Sequence, residues 1–253
     1  MTRRCALVTG GSRGIGAAIA NRLAADGHRV AVHCRADSAA AKTVVDALPG
    51  TGHALIAGDL GAPGAAHEVV RSAVGLLGAV DVLVNNAGAY TEQPVATTSF
   101  EEWQADWRRL VDVNLLGPAD LIWQFVDHLR HRVQGPQGAR IVNVGSRGAY
   151  RGEPDAPAYG ATKAALHSLT QSLAVSLGPL GVAVTAVAPG FVRTDLTEPM
   201  LVGPVADEVR RQSPLGRIAL PQDVAATVAW LSSADAEWCS GTVVDVNGAS
   251  HLR

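Results

Sequence analysis

Short, apolar, β-branched runs alternate along this chain with longer stretches of helical spacing, and that alternation limits the possible folds more than any other feature. The runs are Cys5 to Thr9, Arg29 to His33, His53 to Ala57, Val80 to Asn85, Arg140 to Val144, Ala183 to Ala188 and Thr242 to Val246. Strands separated by helices join through right-handed crossovers and form a parallel sheet. Runs such as Val80 to Val84, broken only by Asp81, lack polar alternation, as strands covered on both faces do. The pattern predicts a doubly wound α/β sandwich. No linker, repeat or low-complexity tract divides the 253 residues, and VQGPQG at Val133 to Gly138 reads as a turn, so one domain is the economical organisation. Phe191 to Ile218 departs from the pattern, with Pro199, Gly203, Pro204 and Pro214 around the charged stretch Asp207 to Arg211. Long loops in compact domains are often lids, and residues 191–218 are expected to form a mobile one over a site.

Composition excludes several function classes. With 47% hydrophobic and 17% charged residues and a formal charge of −2, the chain offers no basic field for nucleic acid or anionic lipid, and neither partner is expected. Apolar stretches such as Val182 to Val192 fall well short of the roughly 20 residues of a membrane span. The opening Met1-Thr2-Arg3-Arg4 resembles the start of an export signal, but Gly10, Gly11 and Gly14 break the apolar run too early. Cys5, Cys34 and Cys239 are far apart and follow no zinc or disulfide spacing, which suits a reducing cytoplasm. His128 and His131 are three apart on a predicted helix, without a third ligand in an obvious arrangement, so no metal site is expected.

The first strand runs directly into Thr9-Gly10-Gly11-Ser12-Arg13-Gly14-Ile15-Gly16, followed by an alanine-rich helix. Glycines at such a turn let a pyrophosphate approach the N–H groups of the helix N-terminus, so a dinucleotide site is predicted. The end of the second strand, where an acidic residue would bind a ribose 2′-hydroxyl, carries Cys34 and then Arg35. With Arg13 in the glycine turn, two guanidinium groups suit a 2′-phosphate, and NADP(H) is favoured over NAD(H). The alternative is a solvated Arg35, with Asp37 contacting the ribose.

A second constellation carries the chemistry. Tyr159 and Lys163 stand four apart in a chain with only three tyrosines and two lysines, and on a helix they share a face. A free phenol has a pKa near ~10, and a nearby ammonium is expected to lower it toward useful acidity. Ser146 follows the strand Arg140 to Val144, at the sheet edge where open α/β folds bind ligands, and its hydroxyl could hold a carbonyl oxygen as charge develops.

Taken in order, the glycine turn, Asp59-Leu60, Asn85-Asn86-Ala87-Gly88, Asn114, Ser146, Tyr159, Lys163 and Pro189-Gly190 to Thr194 make the chain resemble a short-chain dehydrogenase/reductase. The resemblance is to the large group typified by 3-oxoacyl-(acyl carrier protein) reductases, and it spans nearly all residues. It implies a Rossmann-type, seven-stranded, doubly wound parallel sheet in a three-layer α/β/α sandwich of one domain. It implies cofactor contacts from Asp59 and Leu60 at the adenine and from Asn86, Ala87 and Gly88 at the adenosine ribose. Further contacts are implied from Pro189, Gly190 and Val192, and from Thr194 at the nicotinamide amide. The implied catalytic set is Asn114, Ser146, Tyr159 and Lys163. Ser146 holds the oxygen, Tyr159 exchanges the proton, and Asn114 binds a water leading from Lys163 to solvent. A small carbonyl or alcohol substrate follows; the alternatives are an NAD-dependent alcohol dehydrogenase or a non-catalytic NADP(H)-binding regulator on the same fold.

Arg147, Tyr150, Arg151 and Glu153 on one side and Tyr90, Thr91 and Glu92 on the other are expected to border the substrate pocket, and the two arginines are either anion contacts or solvated. Gly178-Pro179-Leu180 stands where carrier-protein reductases of this group place a basic docking residue, a departure that leaves keto-polyols, hydroxysteroids and secondary-metabolite ketones open. The stripe Leu166, Leu169, Leu173 and Leu177 is core alone or, as the resemblance implies, part of a subunit interface with the helix from Phe100. The implied assembly is a homotetramer, or in its smaller form a homodimer.

Overall fold

The chain is described by a computed structural model that covers residues 4–253 except 37, 196, 199 and 200, so Asp37 and Pro199 lie outside the described residues. Seven strands form one sheet: β1 (Cys5–Val8), β2 (Arg29–Cys34), β3 (Ala54–Ala57), β4 (Val82–Asn85), β5 (Arg140–Val144), β6 (Ala183–Pro189) and β7 (Val243–Val246). All pairings are parallel, in the order β3-β2-β1-β4-β5-β6-β7. Between them run α1 (Gly14–Ala25), α2 (Ser38–Ala47), α3 (Ala65–Leu77), α4 (Phe100–Val111), α5 (Gly117–His131), α6 (Gly148–Arg151), α7 (Pro157–Leu177), α8 (Gly203–Arg211) and α9 (Pro221–Leu231).

The absence of alternation in the strands has its counterpart in two cores. Leu7, Leu83, Ile141 and Val184 face α3, α5 and the end of α7, where Val70, Phe125, Leu129 and Leu177 meet them. Val8, Val32, Val84, Val142 and Val187 face the opposite way, onto Ile19 and Leu23 of α1 and Val224 and Val228 of α9. Successive strand residues point to opposite faces, so a strand buried on both must be apolar throughout. Buried polar residues of the strands include His33, Asn85, Asn143, Thr185 and, with a full charge, Arg140. Its guanidinium, 2% exposed, donates to the Ser233 carbonyl at 3.1 Å and to Glu237 Oε2 at 2.8 Å, which offsets its burial.

The helical stretch that starts at Phe100 is interrupted. It starts on a capping box, with Ser99 and Glu102 bonding each other's backbone N–H, but a π turn at Asp112–Leu116 separates α4 from α5. The cause lies in the sequence: Pro118 has no N–H for the Asn114 carbonyl four residues back, and the Gly117 N–H instead reaches the Asp112 carbonyl, five back. The extra residue in the turn carries Asn114 inward, where it is fully buried. His128 has a structural role: its Nε2 accepts from the Val80 N–H at 3.3 Å.

Candidate active site

Strand order reverses at β1, which has β2 on one side and β4 on the other, and the crevice beyond the carboxyl ends of such strands is the usual ligand site of open sheets. Thr9, just past β1, organises it. Its hydroxyl accepts from the N–H groups of Asn86 and Ala87, both at 3.0 Å, while Asn86 Nδ2 donates to the carbonyls of Thr9 at 2.8 Å and Gly10 at 3.1 Å. The turn from β1 to α1 is thereby clamped to the end of β4. Gly10, at φ +62°, would bring a Cβ within 2.8 Å of the Ala87 Cα, and a Cβ on Gly16 would overlap the Gly10 carbonyl oxygen. Only glycine fits at either position. No side chain caps the first N–H groups of α1, which is the donor set a pyrophosphate takes. The cradle therefore fits a dinucleotide.

Sequence reasoning missed His33. It is 2% exposed, its Nδ1 accepts from the Gly10 N–H at 3.3 Å, and its Nε2 lies 2.8 Å from the Gly58 carbonyl, so it braces the glycine turn against the end of β3. Ser12 is half-buried, whereas Arg13 in the turn and Arg35 just past β2 are exposed. Asp59 lies within electrostatic reach of Arg35. Its carboxylate accepts from the Gly61 N–H at 3.0 Å and from Arg109 at 3.2 Å, and it is held below the usual range chiefly by the Gly61 N–H and then by Arg109. Leu60 is 8% exposed and packs into the core.

The chemical groups gather at one cavity of about 250 Å³. Its wall includes Ile15, Asn86, Gly88, Ser146, Tyr159, Lys163, Pro189, Gly190, Val192 and Thr194, so both predicted constellations meet there. The Thr194 methyl lies over Gly14, 3.2 Å from where a Cβ would stand, and this joins the start of the predicted lid to the glycine turn. Asn114 is behind the wall: its Oδ1 accepts from the Ala89 N–H at 2.8 Å, and its Nδ2 donates to the Ala89 carbonyl at 3.0 Å and to Thr162 Oγ1 at 3.2 Å. It pins the segment after β4 and makes no direct bond to Lys163 among the described residues.

Tyr159 lies in the first turn of α7, its ring edge-on to Tyr90 at 5.2 Å. The expected lowering of its phenol by Lys163 is not found. Burial pushes the phenol above its ordinary value; the Ser146 hydroxyl pulls it down, and Glu153 pushes it further up. The Lys163 ammonium is 5.8 Å from the ring centroid and donates instead to the Val144 carbonyl at 2.9 Å, so desolvation outweighs it. The phenol is thus held protonated, the form that can give a proton to a carbonyl oxygen.

Lys163 is only 4% exposed, and burial lowers its pKa from 10.5 to about 8. The unfolded chain keeps this proton to higher pH than the folded one, so raising the pH from about 8 toward 10.5 favours folding at this residue. Lys163→Met is therefore expected to be more stable than the wild type at pH 7 by about 1–3 kcal/mol. In urea unfolding at a series of pH values the gap should narrow above pH 8. A constant gap would contradict the assignment.

The loops beyond Ser146 and Gly88 border the cavity only in part. Tyr90, Arg147 and Glu153 line it; Thr91, Glu92, Tyr150 and Arg151 do not. Tyr150 turns away, stacked 5.0 Å from His167 with the Arg253 guanidinium 4.1 Å above its ring. Arg147 is neither solvated nor free for an anion. It is 3% exposed, donates to Gln212 Oε1 at 2.7 Å and to Ser250 Oγ, and lies 5.0 Å over the Phe191 ring. It ties the Ser146 loop to the segment 191–218, which contains α8 and a small apolar cluster of Leu201, Ala206, Val209 and Ile218 against Phe191.

A family model described as enoyl-(acyl carrier protein) reductase matches residues 10–251. The chain is 34% identical over 254 residues to the acetoacetyl-CoA reductase of Cupriavidus necator, covering 100% of both proteins. It is also 34% identical to the 3-oxoacyl-(acyl carrier protein) reductase of Staphylococcus epidermidis, covering 98% of this chain and 99% of that one. Among solved structures, a short-chain dehydrogenase from Burkholderia cenocepacia in complex with NADP superposes with a TM-score of 0.86 at 35% identity, covering 99% of this chain and 98% of that one.

Proposed function

The chain belongs to the short-chain dehydrogenase/reductase family of oxidoreductases, and we propose that it is an NADP(H)-dependent ketoreductase that interconverts a carbonyl and a secondary alcohol. One observation carries this reading: Ser146, Tyr159 and Lys163 share the wall of a cavity that also includes Ile15 of the glycine turn. The pyrophosphate is held by the turn Gly10 to Gly16, and the remainder of the dinucleotide by Asp59, the backbone of Leu60, Asn86, Ala87, Gly88, Pro189, Gly190, Val192 and Thr194. Bound NADPH supplies the hydride. Ser146 donates a hydrogen bond to the substrate oxygen, the Tyr159 phenol delivers its proton to the same atom, and Lys163 supplies positive charge behind the phenol as its proton departs. Asn114 keeps the backbone at Ala89 in place and takes the water role that the family resemblance implies. Residues 191–218 act as the lid, tied to the Ser146 loop by the hydrogen bond from Arg147 to Gln212.

Arg35 and Arg13 give the preference for the 2′-phosphate, since both are exposed and no acidic residue ends β2. Arg35→Asp should weaken NADPH binding about 10- to 100-fold, in line with the loss of one charge-assisted contact of about 1.5–3 kcal/mol. NADH binding should hold or improve, as read by cofactor fluorescence titration. Tighter NADH than NADPH binding by the wild type would overturn the cofactor assignment. Spectrophotometric oxidation of NADPH against a panel of ketones and 3-oxo esters tests the reaction itself; no turnover with any of them would overturn it.

The assembly is proposed as a homotetramer, or a homodimer as the smaller form, with α5 and α7 at the interface. Trp123 is 64% exposed beside an apolar groove that includes Ile122, Val126, Leu169 and Leu173, and Val175 is 80% exposed. A cytoplasmic location rests on the three widely spaced cysteines, and no described helix is long and apolar enough to cross a membrane.

A further inference from the structure

We infer that Glu153 is a specificity-determining residue, an anionic acceptor in the substrate end of the cavity that selects carbonyl compounds carrying a hydroxyl or ammonium group and rejects those carrying a carboxylate. The inference rests on the ketoreductase reading and deepens it.

Gly148 makes room for this side chain, and Gly160 lies beside it. A Cβ on Gly148 would overlap Glu153 Oε1 and stand 2.8 Å from its Cγ, while a Cβ on Gly160 would stand at ordinary contact distance, 3.6 Å from that of Glu153. Both glycines belong to the catalytic neighbourhood: the Gly148 N–H donates to Ser146 Oγ at 3.0 Å, and Gly160 follows Tyr159. The carboxyl group is therefore seated between the serine loop and the start of α7, on the wall of the same cavity as Tyr90 and Tyr159. It is half-buried, yet among the described residues none forms a hydrogen bond or ion pair with it. A desolvated carboxylate without a partner is costly, and burial accordingly pushes Glu153 above its ordinary value, the more distant Arg151 and Arg147 opposing. A bound molecule can supply the missing donor.

The hydrogen-bonding groups of the nearby cations are turned onto other acceptors. Arg147 spends its guanidinium on Gln212, Ser250 and the face of Phe191, Arg151 does not line the cavity, and Lys163 donates to the Val144 carbonyl. An anionic substituent would thus meet the Glu153 carboxylate at close range while the Arg147 guanidinium is turned onto Gln212 and Ser250, whereas a hydroxyl or ammonium group would satisfy the carboxylate directly.

The test uses three ketones of matched size whose far end is methyl, ammonium or carboxylate, assayed with NADPH and the intact protein. The wild type is expected to prefer the ammonium to the carboxylate ketone by at least about 100-fold in kcat/KM. Glu153→Gln, which keeps the shape and removes the charge, should shrink that ratio at least about tenfold, and Glu153→Ala should act likewise. Turnover of the methyl ketone with a wild-type ratio near one, or a ratio unchanged in both variants, overturns the inference and leaves the ketoreductase reading standing. No turnover of any of the three by the wild type overturns both.

Discussion

Replacing Tyr159 with phenylalanine is expected to lower kcat/KM for carbonyl reduction by about a thousandfold, within the roughly 10²- to 10⁴-fold that a positioned proton donor contributes. The variant removes one oxygen atom from a ring that Tyr90 supports edge-on at 5.2 Å, so the wall of the cavity should keep its form. Burial holds the native phenol protonated, and the phenylalanine has no proton to give. NADPH affinity, measured by fluorescence titration, should change by no more than about threefold, because the cradle at the glycine turn is untouched. Loss of binding and turnover together would mean that the substitution damaged the site, and turnover near the wild-type rate would remove Tyr159 from the chemistry.

At the other end of the cleft, Gly16→Ala is expected to weaken NADPH binding about 10- to 100-fold and to destabilise the protein by about 1–3 kcal/mol. The added Cβ would overlap the Gly10 carbonyl oxygen and come within 2.5 Å of Asn86 Nδ2. Neither neighbour can yield freely. Gly10 is itself fixed by Ala87 at its back, and Asn86 holds both carbonyls at the end of β1. A matched control is Gly75→Ala in α3, where a Cβ meets nothing within 4 Å; there alanine should be neutral or stabilise by up to about 1 kcal/mol. Wild-type NADPH affinity in Gly16→Ala would show that the turn does not hold the diphosphate.

Much of this architecture can be read directly in the residues. Strand runs with no polar alternation announce a sheet buried on both faces, and β5 matches its predicted bounds, while β1 and β4 end or begin a residue or two inside theirs. Thr9, the predicted last residue of β1, lies just past the strand; its N–H still donates to the Val84 carbonyl at 3.0 Å, and its hydroxyl accepts from the N–H groups of Asn86 and Ala87. The i, i+4 spacing of Tyr159 and Lys163 places both on the cavity wall. What spacing cannot convey is where each polar atom ends. The Lys163 ammonium finds a carbonyl on β5 in place of the phenol, and Arg147 finds Gln212 and Ser250 in place of an anion. Both outcomes depend on segments remote in sequence. His33 gives no local signal, since a histidine near the end of a strand has many uses and only the meeting of Gly10 with Gly58 gives it one. The π turn at Asp112–Leu116 was open to inspection, because a proline four residues after Asn114 denies that residue's carbonyl its helical donor.

The most direct measurement follows a deuterium atom. The protein would be given NADPH deuterated at the nicotinamide C4 position that is transferred, together with a reducible 3-oxo ester, and the alcohol analysed by mass spectrometry and NMR. The account predicts one deuterium on the carbinol carbon, an alcohol of single handedness, and the same reaction slowed about a thousandfold in Tyr159→Phe. Deuterium appearing elsewhere, or a wild-type protein that binds NADPH and transfers none, would contradict it.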